Sequence, residues 1–252
     1  MKVLITGGSE GIGYAIAAEA VKSGASVEIW ARREDRLREA ARVLGVSWKV
    51  VDVSDPVAVR QAALSSDVPD RLFHCAGFAT AQFIDQVRDE DVHGLVATNV
   101  IGPMHVTRAF APAMAKRGSG AIVLTASDLG YVGLFGWSVY AATKHAVVGF
   151  ASALRNELKP YGVSVQALCP PATQTPGYDK ENQTKPVSVR KAEEAGGVMN
   201  ATAVGEYAWA RCGRGGFYLI PNFSSRVLFA LSRVSMDLAH SFVRAPGPGA
   251  QR

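Results

Sequence analysis

Cysteine is scarce in this chain of 252 residues, and the three thiols, Cys75, Cys169 and Cys212, are odd in number and far apart. That argues against a disulfide framework and against the clustered ligands of a zinc site, so no metal is expected. No apolar run reaches the roughly 18 residues that a membrane-spanning helix needs. No internal repeat is apparent, and low-complexity sequence is confined to the final APGPGAQR. The chain starts on an apolar strand pattern, MKVLIT, without a basic leader, so no secretory signal is expected and a reducing cytoplasm is the expected compartment. Acidic residues are nearly missing from the end. From Arg211 onward six arginines face one acid, Asp237, which gives 6 − 1 = +5, the whole net charge of the chain. A neutral body with a basic tail predicts a local anionic partner and excludes a nucleic-acid groove running along the fold.

What is present is a large apolar content, 48% hydrophobic against 19% charged, enough for one α/β domain of this length. Lys2 to Thr6 reads as a strand that runs into TGGSEGIG, and the helical pattern YAIAAEAVKSG follows. Gly7, Gly11 and Gly13 in such a strand-to-helix turn let a pyrophosphate approach backbone N–H groups at a helix N-terminus. The next strand, SVEIWA, ends at Ala31 and is followed by Arg32 and Arg33. A carboxylate at this strand end would hold a ribose 2′-hydroxyl, whereas arginines accommodate a 2′-phosphate, so NADP(H) is the expected cofactor. Glu10 in the glycine turn works against that phosphate by charge.

A third strand, SWKVVDVSD, is expected to end in Asp52-Val53, with a helix capped by Asp55 and opened by Pro56. RLFHCAG, AIVLTAS, GVSVQALCP and FYLIP read as further strands, and a helix carries Asn99 on to about Arg117. The alternation predicts a doubly wound parallel sheet of about seven strands with helices on both faces. Residues 170–186 are polar and turn-rich and are expected to cover a substrate at the carboxyl edge of the sheet.

The chemistry concentrates between Ser127 and Lys144. Tyr140 and Lys144 stand four apart in a predicted helix, Ser138 to Leu158, and therefore share a face. An ammonium beside a phenol favours the phenolate and is expected to bring its pKa down towards the working range. Ser127 ends its strand where open α/β sheets bind ligands, and its hydroxyl could hold a carbonyl oxygen that Tyr140 protonates.

TGGSEGIG, Asn99, Ser127 and YAATK, in this order and at these distances, resemble the short-chain dehydrogenase/reductase family over residues 1–221. The resemblance implies a Rossmann-type fold and a catalytic set of Asn99, Ser127, Tyr140 and Lys144, with Asn99 holding a water for proton resupply. It implies cofactor contacts from Gly7, Ser9, Gly11, Ile12 and Gly13, from Arg32 and Arg33, and from Asp52 and Val53 beside the adenine. Ala76, Gly77, Pro170 and Thr173 would complete that site, with Tyr140 and Lys144 also facing the nicotinamide end. Two family turns are altered, to Cys75-Ala76-Gly77 and to Pro170-Pro171. Both alterations, with GLFGWSVYAATKHA and PPATQTPGYDKENQTKP, are similar to the branch of the family that reduces long-chain 3-keto-sphingoid bases with NADPH. The alternatives are a reductase of 3-ketoacyl thioesters or other ketones, and a cofactor-binding sensor that turns over nothing. A homodimer or homotetramer is a family expectation.

The reductase domain is expected to span 1–221, with a substrate loop over 170–216, and a basic amphipathic tail to span 222–252. Between Ser225 and Arg244 the polar residues Arg226, Arg233, Asp237, His240 and Arg244 share one face of a predicted helix. Val227, Leu228, Leu231, Val234, Leu238 and Phe242 lie around the other. Such a helix either rests peripherally on an anionic membrane surface or packs on the body or a subunit interface.

Overall fold

Apolar runs of four to six residues separated by helical patterns leave the backbone one economical arrangement, a sheet buried on both faces. The computed structural model describes residues 1–241. In chain order the elements are β1 (Lys2–Thr6), α1 (Gly11–Lys22), β2 (Ser26–Ala31), α2 (Glu34–Leu44), β3 (Ser47–Val50), α3 (Pro56–Leu64) and β4 (Arg71–His74). Then come α4 (Asp89–Val96), α5 (Gly102–Arg117), β5 (Gly120–Thr125), α6 (Ser138–Leu158) and β6 (Val163–Leu168). The remainder is β7 (Thr173–Gln174), α7 (Pro176–Asn182), α8 (Val187–Gly196), β8 (Met199–Asn200), α9 (Ala201–Arg211), β9 (Tyr218–Leu219), α10 (Phe223–Val234) and α11 (Met236–Ser241).

Seven strands form one parallel sheet in the order β3-β2-β1-β4-β5-β6-β9, while β7 and β8 pair separately. The register stacks like with like: Leu4 is opposite Leu72, Leu72 opposite Ile122, and Ile122 opposite Val165. These side chains belong to the core on one face, with Trp30 and Phe110. Val3, Ile5, Ile29, Phe73 and Val123 alternate with them and fill the other. Each such side chain, taken from water to full burial, contributes about 1.5–3 kcal/mol. Because every strand is parallel, Thr6, His74, Thr125 and Leu168 all end at the same edge. The strand order reverses beside β1, the place where open α/β sheets form a ligand crevice.

Local signals held at several points. Asp55 Oδ1 accepts from Val57 N at 2.7 Å, with Pro56 at the first helical position. The helix carrying Tyr140 and Lys144 has the predicted bounds, Ser138–Leu158. Others need correction. The third strand stops at Val50, short of Asp52-Val53, because Asp52 Oδ1 instead accepts from Ser54 N and Oγ in a local turn. The segment after β6 is no open loop: Thr175 caps α7 through Tyr178 N at 3.0 Å, and α8 and α9 follow. Helix α9 packs on α1 so closely that a Cβ on Gly205 would lie 2.6 Å from Ala15 Cβ. The predicted tail helix is broken at Ser235, whose backbone is extended (φ −157°, ψ 131°). Part of its predicted apolar face is spent on the body: Leu228 and Leu231 pack on the core, beside Phe229, whose ring meets Tyr131 and Tyr218 at centroid distances of 5.1 and 4.5 Å. Phe242 and Arg244 lie outside the described residues.

Candidate active site

A cleft of about 1430 Å³ runs along the carboxyl edge of the sheet, from the glycine turn to helices α7 and α8. At its first end Gly7, Ser9, Gly11, Ile12 and Gly13 form the wall. A Cβ on Gly13 would sit 2.3 Å from Gly7 O, and one on Gly7 would sit 2.7 Å from Ala76 N. No larger residue fits either position without opening the turn. Glu10, the residue before α1, makes no side-chain cap, so the first N–H groups of α1 have no side-chain partner there. Uncapped donors at the positive end of a helix suit a pyrophosphate. Arg32 and Arg33 stand at the cleft where β2 ends. Arg33 pairs with Glu10 at 2.5 Å and Arg32 with Asp52 at 3.8 Å, all four side chains being well solvated. Glu10 therefore steadies an arginine, and each guanidinium keeps further N–H donors free of these contacts. This donor set fits a dinucleotide with a 2′-phosphate.

Val53, Ala76, Gly77, Pro170 and Thr173 also line the cleft, but Asp52 does not; Val51 and Ser54 occupy that stretch of wall. Asn99 likewise sits behind the wall, almost fully buried in a single π turn, Ala97–Ile101, between α4 and α5. Its Oδ1 accepts from Phe78 N at 3.1 Å, while Nδ2 donates to Phe78 O at 2.9 Å and to Thr143 Oγ1 at 3.3 Å. Asn99 thus ties the segment after β4 to α6. A Cβ on Gly77 would be 3.0 Å from Asn99 Oδ1 and 3.8 Å from Lys144 Nζ, so the three positions meet at one point.

Ser127, Tyr140 and Lys144 converge on the middle of the cleft. The Ser127 hydroxyl donates to Asp128 Oδ1 at 2.9 Å and accepts from Leu129 N at 3.2 Å. Lys144 is buried and donates to Thr125 O at 3.0 Å, with Nζ 5.4 Å from the Tyr140 ring centroid. Burial lowers its pKa from the usual lysine range to about 8. Tyr140 departs from the sequence expectation. Burial pushes its phenol well above the ordinary range, Glu181 and Asp128 add to the effect, and Ser127 opposes it. With Lys144 engaged by Thr125, the phenol here is held protonated.

Several polar groups of this region carry no motif and escaped the sequence reading. Asp128, partly exposed to the cleft, is pushed up to about 6 by burial. Glu181 on α7 is pushed up to about 7, again by burial, and Glu193 on α8 is raised for the same reason. Lys185 between them has a fully buried side chain, 2.5 Å from Glu193 and 3.7 Å from Glu181. Its ammonium also lies over the rings of Tyr178 and Trp137, at 4.4 and 5.1 Å. The run from Glu181 to Pro186 was the available signal, but Glu193 joins it only through the fold. Cys75, packed under the cleft and contacted by Thr125 Oγ1, has its thiol pushed up to about 11 by burial, which makes it a poor nucleophile.

The profile described as short chain dehydrogenase matches residues 1–186. The chain is 36% identical over 219 residues to a 3-ketodihydrosphingosine reductase of Bos taurus, a match covering 80% of this chain and 65% of the bovine protein. It is 32% identical over 249 residues to a 3-dehydrosphinganine reductase of Arabidopsis thaliana, covering 95% of this chain and 75% of that relative. Among solved structures, a short-chain dehydrogenase from Sphingobium yanoikuyae in complex with NADPH superposes with a TM-score of 0.78 at 28% identity, covering 98% of each chain. The match to the bovine relative thus spans just under two thirds of that protein's length.

Proposed function

The chain belongs to the short chain dehydrogenase family, and we propose that it reduces the 3-keto group of a long-chain sphingoid base, 3-ketodihydrosphingosine to dihydrosphingosine, using NADPH. The observation that carries the reading is the meeting of Ser127, Tyr140 and Lys144 in one cleft that begins at the glycine turn. The relatives named above support the substrate. Phe78, Leu129, Val132, Leu134 and Leu228 give the cleft apolar wall suited to an alkyl chain.

When bound, NADPH supplies the hydride; its phosphates would rest on the turn from Gly7 to Gly13 and on Arg32 and Arg33. Ser127 turns its hydroxyl proton from Asp128 Oδ1 to the ketone oxygen and fixes that oxygen beside Tyr140. Tyr140 then gives that oxygen its phenolic proton as the carbonyl carbon becomes an alcohol carbon. A phenol held protonated is in the form a donor requires, and the Lys144 ammonium stabilises the phenolate that remains. Asn99 acts as a positioning residue, since its amide is engaged by Phe78 and Thr143. A panel of 3-ketodihydrosphingosine, an acetoacetyl thioester and a simple ketone, followed by loss of NADPH absorbance, tests the reading. The sphingoid ketone is expected to be turned over best. Preference for the thioester would move the protein to another branch, and no turnover of any ketone would make it a binding protein.

The proposal extends to a peripheral contact with an anionic membrane surface. On α10, Phe223, Val227, Ala230 and Val234 recur at helical spacing and all face outward, with Arg226 and Arg233 exposed along one side. Leu228 on the same helix lines the cleft, so a chain leaving the site would meet this stripe. Among the described residues no helix is long and apolar enough to cross a membrane. Assembly as a homodimer or homotetramer belongs to the same proposal on family likeness alone.

A further inference from the structure

The cleft holds more negative charge beside Tyr140 than ketone reduction requires. Lys185 answers Glu193 and Glu181 with a single ammonium. Asp128 has no cationic partner among the described residues; the Ser127 hydroxyl donates to it at 2.9 Å, and the main-chain N–H groups of Leu129 and of Asp128 itself also favour its charged form. Asp128 lines the cleft next to Ser127 and is in hydrogen-bond contact with it, so a group on the atom bonded to the carbonyl is the part of a substrate its carboxylate would meet. The substrate proposed above carries an amine on that neighbouring carbon and a hydroxyl one carbon further.

A second, independent feature points the same way. Trp137 is 2% exposed and lines the cleft, its ring centroid 5.2 Å from that of Tyr140. Its indole N–H is buried without a partner at full hydrogen-bond geometry, and the group it faces is the Glu193 carboxylate, which feels it only weakly. A buried donor left unmade costs free energy in the empty protein and is relieved by a ligand oxygen.

We infer that Asp128 is a specificity residue that binds the substrate's ammonium, with the Trp137 indole N–H donating to the adjacent hydroxyl, so that the site selects 2-amino-1-hydroxy-3-ketones over plain ketones. The inference rests on the substrate reading given above. Each of three consecutive substrate carbons then has its own partner: Trp137 for the hydroxyl, Asp128 for the ammonium, Ser127 and Tyr140 for the ketone oxygen. Plain ketones would strand the Asp128 carboxylate in a partly desolvated site, which is how such a site rejects them.

The test compares 3-ketodihydrosphingosine with its desamino analogue, the same chain and hydroxyl without the amine. Wild-type protein is expected to favour the amino-ketone in kcat/KM. Asp128→Asn keeps an acceptor for Ser127 and should lower that preference by about tenfold or more, chiefly through KM, as expected of one lost charge-assisted hydrogen bond. Asp128→Glu should restore part of it, and Trp137→Phe should lower the preference for the hydroxylated over the deoxy amino-ketone. An equal loss on both ketones in Asp128→Asn would mean that Asp128 only positions Ser127, and would overturn the inference. No preference in the wild type would overturn it too. If the wild type reduces simple ketones but not the amino-ketone, the substrate reading itself has failed and this inference falls with it.

Discussion

Replacing Lys144 with methionine should abolish turnover and yet make the cofactor-free protein more stable at neutral pH. Lys144 is 6% exposed and its ammonium has a main-chain carbonyl, Thr125 O, as hydrogen-bond acceptor; among the described residues no carboxylate lies within ion-pair distance. Burial lowers its pKa from 10.5 to about 8. At pH 7 the unfolded state therefore binds this proton more tightly, which withholds about 3 kcal/mol from the fold. Methionine has nearly the same length and no charge, and gives up one hydrogen bond of about 1–2 kcal/mol. A net gain of about 1–2 kcal/mol remains, or roughly 2–8 °C in Tm for a chain of this size. The sign of the pH dependence is fixed. The folded pKa lies below the unfolded one, so the cost is full below pH 8 and disappears as pH rises towards 10.5. Thermal melts of wild type and Lys144→Met at pH 7 and at about pH 9.5 should show the gap closing. A less stable variant at pH 7, or a gap equal at both pH values, would refute the assignment of Lys144 as a strained buried charge.

Neutral replacement of Arg32 and Arg33 should weaken NADPH binding by about tenfold or more per residue and leave NADH nearly unchanged; equal losses in a cofactor titration would remove the 2′-phosphate assignment. His74 is buried with Nδ1 against Thr6 Oγ1, and burial depresses its pKa to about 3. Its neutral form lends stability that is full above about pH 6.5 and is lost as pH falls, so at pH 5 the wild type should lose about 2 kcal/mol that His74→Asn does not. Phe223→Ser with Val234→Ser should reduce flotation with anionic vesicles at low salt; a wild type that does not float there excludes the membrane contact. Truncation after Asn222 also strips the half-buried Phe229 from Tyr131 and Tyr218, so it should lower Tm, as loss of packed aromatic surface does.

Much of this architecture was legible in the residues because parallel strands buried on both faces read as unbroken apolar runs, and GAIVLT and VSVQAL are such runs. Helix α6 was legible to its ends, its face carrying Tyr140 and Lys144 at the one spacing that brings them together. Helix α9 was not. Its sequence, ATAVGEYAWAR, has a small residue at its centre because α1 approaches there, and glycine inside a helix reads as a break. Which apolar residues of α10 turn outward was not legible, since periodicity identifies a face but not which part of it meets the body: Leu228 and Leu231 pack on the core while Val227 and Val234 are exposed. Asp128, Glu193 and the Trp137 indole were invisible as a set: separate stretches of chain bring them to one cleft. Tyr140 was read with too low a pKa because sequence spacing supplied the ammonium but not the burial or the nearby carboxylates.

We propose that this chain reduces a sphingoid ketone with Tyr140 as the proton donor. Wild type and Tyr140→Phe incubated with NADPH and 3-ketodihydrosphingosine, with dihydrosphingosine quantified by mass against NADPH consumed, test it most directly. The account predicts one dihydrosphingosine per NADPH in the wild type, and turnover at least about a hundredfold slower in Tyr140→Phe with NADPH binding retained. Absence of dihydrosphingosine from the wild type, or near-normal turnover in Tyr140→Phe, would contradict it.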